Sequence, residues 1–220
     1  MHSIPRLFLA LAAPFALGAP ALAAAAQDQP ILSAEAEFQR FARAAKAAFI
    51  SGRYADALQM SREAHAFASA ELGPTHPFAL RALNDLAVVH LLRGEHDAAL
   101  PLALRAAGEL ERTAGPDHAE TLNALANLAQ LHISRGAPKE AEPLLRRVYA
   151  SRERALGAGD EATLNALLEL AVFMKQQGRL REIAGQLERA AATSEATHGP
   201  APAISRDLKA AAAAARAPRD

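Results

Sequence analysis

Eight glycines in this chain fall on two interleaved ladders that share one spacing of 42 residues. Gly73, Gly115, Gly157 and Gly199 form one ladder; Gly52, Gly94, Gly136 and Gly178 form the other. Self-similarity at a fixed period specifies stacked copies of one supersecondary unit, each burying its apolar face against its neighbour. Such an architecture generally makes a long binding surface.

The stretches between the glycines read as helices rich in Ala, Leu, Glu and Arg. The first stretch of the second copy is expected from about Phe78 to Arg93. Its Leu83, Leu86, Ala87 and His90 obey the i, i+3, i+4, i+7 rule of a helical apolar stripe. Leu125, Leu128, Ala129 and His132 repeat it, as do Leu167, Leu170, Ala171 and Met174; Phe41, Ala44, Ala45 and Ala48 form a weaker first version. A glycine follows four residues later each time, where a helix C-terminus takes a residue that tolerates positive φ.

The second stretch of each copy places a small residue where two helices press together: Ala57, Ala99 and Ala141, with Ile183 breaking the pattern. Pro101 and Pro143 also match between copies. Proline is tolerated in the first helical turn, so these helices are expected to start near 97–99 and 139–141, or to bend there.

On these residues the chain resembles the tetratricopeptide repeat family. Leu83-Leu86-Ala87-His90-Gly94-Ala99 and Leu125-Leu128-Ala129-His132-Gly136-Ala141 fit that family's two-helix consensus. The 42-residue period and the Gly-Pro-x-His connectors (Gly73 to His76, Gly115 to His118) are similar to the longer kinesin-light-chain type. The resemblance implies an all-α, right-handed α-solenoid of four antiparallel helix pairs plus a C-terminal capping helix.

The expected organisation follows. Residues 1–26 have the form of a secretory signal peptide: Arg6 is the only full charge, Leu7 to Leu17 is a short apolar run, and Ala21 to Ala26 offers small-residue cleavage sites before Ala24 or Gln27. The alternative is an uncleaved anchor, but Pro14, Gly18 and Pro20 interrupt the run, which is shorter than the roughly 20 residues a spanning helix needs. No Cys is present, which excludes lipoprotein attachment. Residues 27–32 read as a linker, with Ser33 as N-cap and Glu37 near the capping-box position. The repeat domain is expected over 33–216, with copies at about 33–72, 73–114, 115–156 and 157–198 and a partial cap at 199–216. Ala210 to Ala215 is an alanine run that should bury little and fray; 217–220 is a tail.

Composition suits an exported protein. Removing residues 1–26 takes away Arg6 and leaves 23 Lys and Arg against 24 Asp and Glu, a net charge of −1. A near-neutral surface argues against nucleic acid as partner. With no Cys there are no disulfides and no thiolate zinc sites. A disulfide-free, Ala-rich chain of this kind suits a Gram-negative periplasm, with no stable membrane insertion after cleavage. The oligomeric state stays open.

No enzyme motif is found. Ser61, Ser69, Ser134, Ser151 and Ser194 lack a Gly-x-Ser-x-Gly setting, and the glycines are turn punctuation rather than a phosphate cradle. His90 and His132 recur one period apart, but two imidazoles are too few for a metal site, and they stand where the family usually has Tyr. His76 and His118 are expected to cap a helix start or pack on the previous turn. Neither a cofactor nor a metal is expected.

The resemblance places the concave wall on the first helices. Carried over by position, its rows are Gln39, Arg81, Asn123 and Asn165; Ala42, Asn84, Ala126 and Leu168; Lys46, Val88, Gln130 and Val172; and Phe49, Leu91, Ile133 and Lys175. Side-chain amides offer donors and an acceptor together and so can grip a peptide backbone; the apolar members would line pockets, or pack under a neighbouring helix. The expected function is an exported scaffold that binds a protein or peptide segment in this groove. The alternative is an assembly component that oligomerises through its convex surface or C-terminal end.

Overall fold

The computed structural model describes the backbone of residues 30–199 and 203–217. The expected leader (1–26), residues 27–29 of the expected linker and 218–220 of the expected tail lie outside the described residues. Within them nine α-helices follow one another: α1 (Pro30–Ile50), α2 (Tyr54–Glu71), α3 (Pro77–Leu92), α4 (His96–Ala114), α5 (Ala119–Ser134), α6 (Pro138–Leu156), α7 (Glu161–Gln176), α8 (Ala184–His198) and α9 (Ala203–Arg216). A 3-10 turn, Leu180–Ile183, precedes α8. The described residues contain no strand.

Each first helix stops for a local reason. At the end of α3, Gly94 sits at φ 75°, where a side chain is strained. That geometry lets Glu95 N–H donate to His90 C=O at 2.9 Å and Gly94 N–H donate to Leu91 C=O at 3.0 Å. This pair of bonds is the Schellman motif, which satisfies carbonyls a helix end would otherwise leave open. The same two bonds recur at Gly52, Gly136 and Gly178.

First helices also start alike. His76 Nδ1 accepts the Phe78 N–H and His118 Nδ1 accepts the Glu120 N–H, each at 3.3 Å; Asp160 Oδ1 accepts from Ala162 at 2.8 Å. Imidazole and carboxylate therefore do the same work, supplying an acceptor to an open N–H of the first turn. At the other end of the chain the expected cap is displaced. α1 already runs from Pro30, so Ser33 lies inside the helix. Proline is tolerated at a first helical position because its missing N–H would find no partner there.

The apolar stripes face the expected way. Leu83, Leu86, Ala87, His90, Leu125, Leu128, Ala129, Leu167, Leu170, Ala171 and Met174 are all buried; Ala44 of the weak first version is exposed. One core runs through α3 to α9. The first copy uses rings instead: Phe38 stacks on Phe78 at 4.8 Å between centroids, and Phe41 meets Phe67 at 5.5 Å.

Ala57, Ala99 and Ala141 are each 0% exposed. Their counterpart Ile183 is equally buried, but there the chain forms the 3-10 turn, and helix α8 begins only at Ala184. Pro101 and Pro143 lie in the second turn rather than the first, since α4 begins at His96 and α6 at Pro138; both prolines are exposed. The final alanine run also departs from expectation. Ala212 and Ala215 are buried with Leu208, and Ser205 Oγ donates to Ser194 Oγ at 2.7 Å. Alanine's small volume lets α9 lie close on α8.

The spacing of helices defines an inside. α3 approaches α5 and α7 approaches α9, while α5 and α7 do not approach each other, and neither do α2, α4, α6 and α8. At those two steps the first helices come closer together than the second helices do, which puts them on the shorter, inner side of the stack there.

Candidate functional site

On a helix whose stripe at 83, 86, 87 and 90 is buried, residues at 81, 84, 85, 88 and 91 lie beside that stripe. The same holds one period on at 123, 126, 127, 130 and 133, and again at 165, 168, 169, 172 and 175. Of the expected groove residues, Lys46, Gln130 and Val172 are exposed, Val172 by 46%. Gln39, Arg81, Val88, Asn123 and Asn165 are half-buried.

Four expected groove residues also serve the framework. Leu91, Ile133 and Leu168 pack against the main core, so they brace the wall more than they line a pocket. Asn84 is buried, and its Oδ1 accepts from Asn127 Nδ2 at 3.2 Å. That bond ties α3 to α5 and orients the Asn127 amide. Asn123 is also engaged: its Oδ1 accepts from Arg152 Nη2 at 2.7 Å. The Asn165 side chain makes no hydrogen bond among the described residues.

Sequence reasoning passed over one row. Arg43, Asp85, Asn127 and Glu169 share a register at 42-residue intervals and sit one position beyond Ala42, Asn84, Ala126 and Leu168. Asp85 and Glu169 are half-buried, and neither has an ion-pair or hydrogen-bond partner among the described residues. Burial pushes the Asp85 carboxyl up to about 6, against the attraction of Arg81 and Lys46 and with Glu120 adding to the rise. Burial raises Glu169 as well, and Arg152 counters it. Two acids two periods apart, with an amide between, were visible in the repeat register.

Arg152 was passed over too. It is 5% exposed on α6, with Nη1 donating to Ala162 C=O at 3.3 Å in addition to its bond to Asn123. Its register counterparts are Ala68, Leu110 and Ser194, all buried. A charged residue at a position that is small or apolar in the other copies was the available signal. Burial lowers its pKa, with Glu169 and then Asp160 opposing the shift.

The histidines do structural work. His90 is buried, and its Nδ1 lies 2.6 Å from Glu95 Oε2, which also binds Arg93 through its other oxygen. Among the described residues no three His, Cys, Asp or Glu side chains come together as a metal set, and no helix is long and apolar enough to cross a membrane.

Comparison with known proteins places this geometry. One family model described as tetratricopeptide repeat matches residues 39–108, and a second, described in the same words, matches 121–161 and 163–203. A crystal structure of nearly identical TPR-like repeats from Podosopora anserina, described as kinesin light chain, is 21% identical, covers 86% of this chain and 87% of its own, and has a TM-score of 0.70. A single-substitution form of it gives 0.73 at 21% identity, covering 81% and 84%. BtubC (BKLC) from P. vanneervenii is 18% identical, with 87% and 86% coverage and a TM-score of 0.65. No curated protein matches the chain in sequence.

Proposed function

Because the chain belongs to the tetratricopeptide repeat family, we propose that it is a protein-interaction scaffold whose inner wall, formed by the first helices α1, α3, α5 and α7, holds an extended segment of a partner. Proteins of this repeat class mediate protein–protein contacts through surfaces that stacking creates. The observation that carries the choice of wall is the polar line on α3, α5 and α7. Asp85, Asn127, Gln130, Asn165 and Glu169 lie beside the buried stripes, and only Asn127 has a hydrogen-bond partner among them. Four of the five are half-buried and Gln130 is exposed; acceptors and donors left open in this way find partners at low cost when a ligand replaces water.

We propose further that the scaffold works after export. Support comes from Arg6, the Leu7 to Leu17 run and the Ala21 to Ala26 cleavage region, together with the complete absence of cysteine. Mass spectrometry of the exported protein should find a chain beginning at Gln27, or otherwise at Ala24. A form that retains Leu7 to Leu17 would overturn this part.

The groove is tested by selecting peptides from a random display library on the full chain. Gln130→Trp and Val172→Asp change exposed positions, so the fold should survive both. Selected peptides should bind one per chain and should lose at least tenfold in affinity to each variant. Undiminished binding to both would move the interaction to the convex surface or to α9, in favour of an assembly role.

A further inference from the structure

The row Arg43, Asp85, Asn127, Glu169 is the one feature of the inner wall whose chemistry is specific enough to describe a partner. Along the stack it reads cation, carboxylate, amide, carboxylate. Asp85 and Glu169 are half-buried with no counter-charge within ion-pair distance. Arg81, Lys46 and Glu120 face Asp85 at longer range, and Arg152 faces Glu169 while spending its own hydrogen bonds on Asn123 and Ala162. A carboxylate partly withdrawn from water and unpaired is a position that a cation improves. Asn127 is held by Asn84 through its NH2 group, which leaves its carbonyl oxygen as the acceptor.

Resting on the groove reading above, we propose that the inner wall takes an extended segment with two basic side chains six residues apart, one on Asp85 and one on Glu169, while the Asn127 carbonyl accepts a main-chain N–H between them. The spacing follows from geometry. Packed helix axes lie roughly 8–10 Å apart, and α5 and α7 approach less closely than α3 and α5, so two steps along the stack cover about 20 Å or slightly more. Extended chain advances about 3.1–3.4 Å per residue, so six residues span the same distance. Residues i and i+6 also fall on one face of the segment both in a strand, with period 2, and in polyproline II, with period 3. Arg43, one step beyond Asp85, favours an acidic residue three positions outside the first base, a spacing that shares a face in polyproline II and not in a strand. That placement gives the groove a direction.

The test uses the full chain and fluorescent ten-residue peptides in an anisotropy titration. The first peptide carries Glu, Lys and Lys at positions 1, 4 and 10; the comparators replace both lysines by Gln, or bring the two lysines to a spacing of four. The six-spaced peptide should bind about tenfold tighter than the Gln form and several-fold tighter than the four-spaced form. Asp85→Asn and Glu169→Gln should each weaken it about tenfold, with circular dichroism unchanged. Affinity should fall several-fold from pH 7.5 to pH 5, as the Asp85 carboxyl, which titrates near 6, takes up a proton. Equal binding of the three peptides, or no binding of the six-spaced one, overturns the proposal, and neither outcome depends on a variant folding. Indifference to Asp85→Asn and Glu169→Gln overturns it as well. The two readings separate through Gln130→Trp. If that variant blocks all three peptides equally, the groove stands and the basic-pair preference falls; if the six-spaced peptide binds it undiminished, both fall.

Discussion

The third and fourth copies place residues in the same register and use them differently. In the third, Asn123 accepts from the buried Arg152, which also reaches the first turn of α7. In the fourth, Asn165 stands at the Asn123 position without a hydrogen bond, and Ser194 stands at the Arg152 position, bonded to Ser205 of α9. Thr121 donates to Gly115 C=O at 2.8 Å, whereas the hydroxyl of its counterpart Thr163 is buried without a partner. Ala141 lies in the regular helix α6; Ile183 lies in a 3-10 turn. The lesson is that the period dictates where a side chain sits, while the neighbouring copy decides what it does.

The largest effects should ignore that difference. Leu125→Ala and Leu167→Ala remove equivalent buried side chains, and each should cost about 2–5 kcal/mol in chemical denaturation. In a stacked array the loss passes through nearest-neighbour interfaces and should appear in the global transition. If one copy tolerated the change and the other did not, the packed stripes would not be equivalent after all.

Opposite substitutions at one register sharpen the contrast. Ala141→Leu should overpack the third copy by about 1–3 kcal/mol. Ile183→Ala should open a cavity in the fourth and also destabilise it, since Ile183 is 1% exposed. A gain in melting temperature for Ile183→Ala would mean that the isoleucine imposes the 3-10 turn as strain rather than filling the joint.

The amides should diverge most clearly. Asn123→Ala removes one of the two hydrogen bonds of a buried guanidinium and should cost about 1–3 kcal/mol of stability. Asn165→Ala removes no protein bond and should stay within about 0.5 kcal/mol. Thermal melting of the two variants side by side decides it, and equal costs would break the comparison.

The smallest expected effect depends on pH and carries its own sign. The folded-state pKa of Asp85 lies above the unfolded value, so the folded chain holds this proton more tightly and loses stability as pH rises from about 4 to about 6. Solvent screening keeps the effect to something on the order of 1 kcal/mol. At pH 7 Asp85→Asn should therefore be more stable than the parent, and at pH 4 the two should match. A substitution that stabilises the chain while weakening a bound basic peptide would mark Asp85 as retained for binding. Equal stability at both pH values would show that the carboxyl is not strained by its surroundings.

The sequence by itself determined the period, the helical stripes, the glycine ends of the first helices and the buried alanines at 57, 99 and 141. These follow from contacts between near neighbours: a Schellman turn needs its glycine at a set distance, and an apolar stripe needs 3.6 residues per turn. The repeat register also pointed to a candidate wall on the first helices, where Gln130 and Val172 are exposed and Asn165 is half-buried. Only the tertiary structure decided which polar residues are already spent. Asn84 meets Asn127 across 43 residues and Arg152 meets Asn123 across 29. Asp85 and Glu169 become half-buried only when adjacent copies close around them. Burial and long-range pairing belong to the stack, and no single copy contains the information that sets them.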